Sequence, residues 1–159
     1  CSAMKLISTG IGFGEDAGPP DIDLDLSDCK LNAASCANLV EALVTTKRDA
    51  KSKRMELKLN SNDLDDSDQF LTMMTSIASS SLISSLHLSG CKIGNRGLHN
   101  ILSASMASEN TYPFEILDLS RNEISADGLL QFATDLIDQN SSFCFPNLRK
   151  LNLAATLPT

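Results

Sequence analysis

Residues 117–124 read LDLSRNEI, and the chain repeats their form. Residues 24–31 read LDLSDCKL, 57–64 LKLNSNDL and 86–93 LHLSGCKI, with a weaker copy, LNLAATLP, at 151–158. The first four obey L-x-L-x-x-[N/C]-x-[L/I] without exception. Their anchors are Cys29, Asn62, Cys91 and Asn122, with Thr156 in the fifth place, at spacings of 33, 29, 31 and 34 residues. Self-similarity at such a period marks stacked supersecondary units.

Each position has a physical reading. In L-x-L the aliphatic residues fall on one face of a short strand and the intervening residue on the other. One unit cannot bury its own apolar side, so units must stack into a continuous core. Burying one such leucine is worth roughly 1.5–3 kcal/mol. The anchor sits where the chain bends away from the sheet and leaves backbone groups that no ladder satisfies. An inward asparagine amide both donates and accepts there. Cysteine is a compact substitute with a weaker donor. Cys29, Asn62, Cys91 and Asn122 are therefore read as structural bend positions, the two cysteines as thiols with no part in chemistry or metal binding.

The stretch DIDLDLSDCKL (Asp21–Leu31) also invites a calcium reading, because it opens Asp-x-Asp-x-Asp. An EF-hand loop needs glycine at its sixth position and glutamate at its twelfth. Leu26 and Asn32 stand there instead. The alternation of Ile22, Leu24 and Leu26 with Asp21, Asp23 and Asp25 fits a half-buried strand better.

The repeat resembles the leucine-rich repeat, and its long period is similar to the ribonuclease-inhibitor-like class. Gly97 and Gly128 each stand four residues after the last motif aliphatic, with Ile101 and Phe132 four further on and Leu136 continuing the series. That is the class's x-L-x-x-x-G-x-x-x-L rhythm. Ser35 and Asp68 depart from it where glycine is expected, and Thr72 breaks the apolar rhythm. The resemblance spans roughly residues 21–158. It implies an α/β fold: a right-handed solenoid bent into a horseshoe arc, with a parallel sheet on the concave side and helices on the convex side. Residues 21–159 are expected to hold about four repeats plus a final strand. Residues 1–20 are expected to be a turn-rich tail or the remnant of an upstream repeat.

The helical segments carry apolar stripes. These are Ala34, Leu39, Val40 and Leu43; Phe70, Leu71, Met74 and Ile77; Leu98, Ile101, Leu102 and Met106; and a fourth near 126–139. Asn32, Asp66 or Ser67, and Ser125 stand where helix caps belong. The loop TTKRDAKSKRM carries Lys47, Arg48, Lys51, Lys53 and Arg54. It admits an anion-patch reading beside the simpler one of a solvated link. Phe143, Cys144 and Phe145 either tuck under the last coil or form a contact.

The totals restrict function. A net charge of −7 over 159 residues argues against nucleic acid as the main partner. No run of about 18 apolar residues spans a membrane. Five cysteines without a CxxC or Cys/His cluster favour a reducing, cytoplasmic setting over a disulfide framework or zinc. The start lacks an initiator Met and a leader pattern, which suggests a segment of a longer chain.

In the aligned repeats the outward residues form columns. Asp25, Lys58, His87, Asp118 and Asn152 make the central one. Asp23, Glu56, Ser85, Ile116 and Lys150 precede it, and Arg121 lies beyond it. Solenoids present such faces to partners. Asp23, Asp25, Glu56, Lys58, His87, Asp118, Arg121 and Lys150 are therefore the candidate partner-binding residues. Ser89, His87 and Asp118 would be neighbours, but a shallow sheet offers no buried acid or pocket for a triad. No catalytic residue, metal site or cofactor is expected. The function expected is a non-catalytic protein-binding module, and both ends read as uncapped, which leaves self-association open. The resemblance also admits a RanGAP-type GTPase activator, or a spacer within a larger repeat protein.

Overall fold

The structure is a computed structural model that describes residues 5–8 (backbone), 22–46, 54–107, 114–138 and 145–156. The basic loop up to Lys53, the residues Phe143 and Cys144, and the stretch before Ile22 other than 5–8 lie outside the described residues. The elements run β1 (Lys5–Ser8), β2 (Ile22–Asp25), α1 (Ala33–Thr46), β3 (Met55–Lys58), α2 (Asp68–Ala78), β4 (Ile83–His87), α3 (Asn95–Ala107), β5 (Ile116–Asp118), α4 (Ala126–Asp138) and β6 (Lys150–Asn152).

The strands form one sheet in chain order, β1 to β6. The pairs from β2 through β6 are all parallel. Parallel neighbours joined by a helix require a crossover, and such crossovers are right-handed. The outcome is the expected α/β solenoid. β1 is a strand that the sequence pattern did not place; it lies antiparallel on β2, with Leu6 opposite Leu24.

The register reproduces the repeat alignment. Leu24, Leu57, Leu86, Leu117 and Leu151 stand side by side across the five parallel strands. The four before the last are at most 3 % exposed, whereas Leu151 at the sheet edge is 37 % exposed. One irregularity interrupts the ladder: Met55 pairs with Ile83 and Glu56 with Ser85, so Ser84 is the extra residue of a bulge.

The helices close the core from one side. α2 buries Phe70, Met73, Met74 and Ile77, and α3 buries Leu98, Ile101 and Leu102. In α1 the expected stripe is only partly the buried one: Val40 is buried as expected, and the rest of the face differs. Ala34 is exposed and Leu39 and Leu43 are half-buried, while Ala33, Cys36, Ala37 and Val40 form the buried face. Because the helix begins at Ala33, the i, i+3, i+4, i+7 set counts from there. Among the described residues, the exposed large hydrophobics are Leu130 and Ile137 on α4 and Leu151 on β6.

The caps differ from coil to coil. Asn32 Oδ1 accepts the Ser35 N–H at 2.9 Å, and Ser125 Oγ accepts that of Gly128 at 3.2 Å. Ser67 stands at the N-cap of α2 but makes no side-chain cap bond. Asp66 reaches instead to the next coil, where its Oδ1 accepts the Gly94 N–H at 2.8 Å. Asn95, at the same place one repeat later, accepts the Ser125 N–H at 3.0 Å and donates to Ser125 Oγ at 2.8 Å.

This reach explains the repeat's glycine. A Cβ on Gly97 would stand 2.4 Å from Asp66 Oδ1, and one on Gly128 would stand 2.0 Å from Asn95 Oδ1. The coil before Asp68 carries Ala33 at the reaching position, so nothing there demands the space. Asp68 is therefore a permitted departure from the pattern.

Candidate functional site

The bend residues hold the coils in register. Asn62 Oδ1 accepts the N–H groups of Cys29 (3.1 Å) and Leu31 (3.0 Å), and Nδ2 donates to the carbonyls of Leu26 and Leu59, both at 2.9 Å. Asn122 repeats the set on Cys91 (2.8 Å), Ile93 (3.1 Å), Leu88 (2.8 Å) and Leu119 (2.9 Å). The Cys91 thiol donates to the Leu59 carbonyl at 3.2 Å. Burial pushes Cys91 up to about 11, so it is no nucleophile at neutral pH. Burial does the same to Cys36. Cys29 corrects the sequence reading: it is disulfide-bonded, not a free thiol. An odd cysteine count excludes only a scheme in which every cysteine pairs.

The open face of the sheet carries the columns that the alignment anticipates. Asp25, Lys58, His87, Asp118 and Asn152 are neighbours in register, as are Asp23, Glu56, Ser85, Ile116 and Lys150. The ion pairs, however, run between columns. Lys58 Nζ is 2.8 Å from Asp23 Oδ2 and 3.5 Å from Glu56 Oε1, and His87 Nε2 is 3.0 Å from Glu56 Oε1. The His87 contact is an approach and not a hydrogen bond: Nε2 is among the buried polar atoms without one.

The central aspartates are occupied elsewhere, which is why Asp25–Lys58 and His87–Asp118 are not the direct pairs. Asp25 Oδ1 accepts the Ser27 N–H at 3.0 Å and Asp118 Oδ1 that of Ser120 at 2.9 Å. Asn152 Oδ1 does likewise for Ala154 at 3.1 Å. These Asx turns end each strand. The Ser27 bonds hold the Asp25 carboxyl below its ordinary value, helped by the charges of Lys58 and His87. For Asp118 burial acts upward, but bonds from Ser120 and Asn152 and the charge of His87 outweigh it, and its value is lowered. Lys58 is raised, first by its bond to Asp23, with burial opposing and Glu56 adding.

A polar ladder follows just beyond the leucines. Asn60 Nδ2 donates to Ser27 Oγ (3.4 Å), Asn60 Oδ1 accepts from the Ser89 N–H (2.8 Å), and Ser120 Oγ donates to Ser89 Oγ (3.0 Å). Ser89, His87 and Asp118 are thus no relay: His87 Nε2 meets Glu56, and Asp118 serves Ser120. The next column, Asp28, Ser61, Gly90, Arg121 and Ala155, is left-handed throughout, with φ between 52° and 65°. Of these the sequence reading singled out Arg121 alone, as an outward residue. A single glycine among five residues hides a shared left-handed turn.

The face is graded in charge. Asp23, Asp25 and Glu56 lie toward one end, with Arg121 and Lys150 exposed toward the other. Arg54 pairs with Glu115 at the start of the strands, which draws this cation out of the expected basic loop. Among the described residues no group of three or more His, Cys, Asp or Glu side chains could hold a metal ion. No helix of theirs is long and apolar enough to cross a membrane.

Compared with known families, residues 79–102 and 113–133 each match the leucine-rich repeat model. These two stretches are leucine-rich repeats. The matched stretches are the third and fourth coils, where Asn122 bridges to Cys91 and Asn95 to Ser125. Repeats of this family are generally protein-interaction modules. No curated protein matches the chain in sequence.

Proposed function

We propose that this leucine-rich-repeat segment is a non-catalytic module that holds a protein partner on the open, concave face of its sheet. Asp23, Asp25, Glu56, Lys58, His87, Asp118, Arg121 and Lys150 are the contact residues in this reading. The observation that carries it is the graded array of polar side chains on five register-matched parallel strands. The Glu56 side chain is 39 % exposed, and Asp25, Arg121 and Lys150 are exposed beside it on the same face. The long period and the Gly97 and Gly128 positions support placing the repeats in the ribonuclease-inhibitor-like class.

The test is a charge-neutral pattern change, Glu56→Lys with Arg121→Glu. Neither side chain supplies a buried backbone bond, so the melting temperature should hold. Proteins retained by the immobilised parent chain should be lost from the variant. Retention of the same proteins by both would remove the concave face as the site.

A further inference from the structure

On the opposite side of the molecule, α3 and α4 pack less closely than α1 with α2 or α2 with α3. A groove of about 320 Å³ lies between them, lined by Leu98, His99, Leu102, Asp127, Phe132 and Asp135, among others. That volume is at the lower end of the range for ligand pockets, roughly 300–1,000 Å³. The lining residues sort by height. Leu98, Leu102 and Phe132 are buried and form the apolar floor, while His99 and Asp127 are exposed at the rim and Asp135 is half-buried. Asn95 and Ser125 tie the helix starts together, which closes one end.

The charge is one-sided. α4 brings Asp127 and Asp135 to the groove, and the helix has no lysine or arginine. The one cation of α3, Arg96, is paired with Asp68 of α2 at 2.8 Å. Gln131 Nε2 donates to Asp135 Oδ1 at 2.7 Å and so fixes that carboxylate along the helix. An apolar floor under a carboxylate rim matches one kind of guest: a long side chain with a methylene stem and a cationic head.

We propose that the α3–α4 groove is a second docking site, which takes an arginine side chain from a basic segment of a partner protein. The stem lies over Leu98, Leu102 and Phe132, and the guanidinium meets one of the rim carboxylates, Asp127 or Asp135, which stand about two helical turns apart. This site is independent of the concave face.

The probe is an acetylated, amidated helical peptide with arginines at i and i+4, titrated into the 159-residue, ¹⁵N-labelled chain. Its control is the same peptide with citrulline for arginine, which keeps shape and removes charge. Amide shifts are expected to cluster in α3 and α4. Asp127→Asn with Asp135→Asn should weaken binding at least about tenfold through loss of charge-assisted bonds. His99→Lys, an exposed change that leaves packing alone, should also weaken it by adding a cation to the wall. Equal binding of the citrulline peptide, shifts confined to the sheet face, or no shift at all would each overturn the proposal.

Discussion

Asn122 accepts the backbone N–H of Cys91 at 2.8 Å, and through that bond the fourth coil completes the bend of the third. The same carbonyl oxygen accepts from Ile93, while the amide nitrogen donates to Leu88 and Leu119. Both Asn122 and Cys91 are buried, so water cannot replace these bonds. Cysteine supplies only a donor, whereas asparagine supplies donor and acceptor.

Asn122→Ala should therefore cost about 3–5 kcal/mol, because two buried N–H groups lose their acceptor. Cys91→Ala should cost only about 1–2 kcal/mol, since the Leu59 carbonyl that its thiol meets still receives the Asn62 amide. Urea titration followed by circular dichroism measures both. Equal losses would contradict the coil-to-coil account of the bend.

The two helix glycines should respond unequally to alanine. In an open helix interior the change would gain up to about 1 kcal/mol. At Gly128 the new Cβ meets the exposed Asn95 side chain, which can swing aside at the expense of its bonds to Ser125. At Gly97 it also meets Ile93 Cγ2 at 2.6 Å, and Ile93 is buried in the core. Gly97→Ala should lower the melting temperature clearly, and Gly128→Ala much less. Trimming the obstructing residue as well, with Asp66→Ala in the Gly97→Ala background, should recover part of the loss.

Acid stability should depend on the strand-ending aspartates. Asp25 and Asp118 both lie below their ordinary value of 3.8 in the folded chain. Their contribution is complete above the unfolded value and is lost as pH falls through the lower, folded one. Lys58 is raised above 10.5, so its contribution is present below that value and fades as pH climbs past it. Urea midpoints should stay level from about pH 5 to 9 and fall below about pH 4. Asp25→Asn with Asp118→Asn should flatten that acid fall, and an unchanged profile would refute the assignment.

Much of this was legible in the sequence. The motif L-x-L-x-x-[N/C]-x-[L/I] is a period-2 strand followed by a bend, and both constraints act within eight residues. The strand register followed, because stacked leucines admit only one alignment that keeps every copy buried. What escaped depended on contacts between coils. The diagonal pairs Lys58–Asp23 and His87–Glu56 arise because Asp25 and Asp118 turn to their own backbone, and no spacing rule reveals that competition. The different buried set in α1, which shares only Val40 with the expected stripe, came from where the helix starts. The role of Gly97 and Gly128 became plain only beside Asp66 and Asn95, about 30 residues earlier. The strand at Lys5–Ser8 has no partner motif in the repeat, so the pattern was silent there.

The central claim is that the concave sheet face is where a protein partner sits, and site-directed photocrosslinking tests it most directly. A photoreactive amino acid is placed at position 58, on the open face of β3, and separately at Thr72, exposed on α2. After ultraviolet irradiation in a cell extract, position 58 should yield a discrete crosslinked species that Glu56→Lys with Arg121→Glu abolishes, and position 72 should yield none. A discrete adduct from position 72 with none from position 58 would contradict the account.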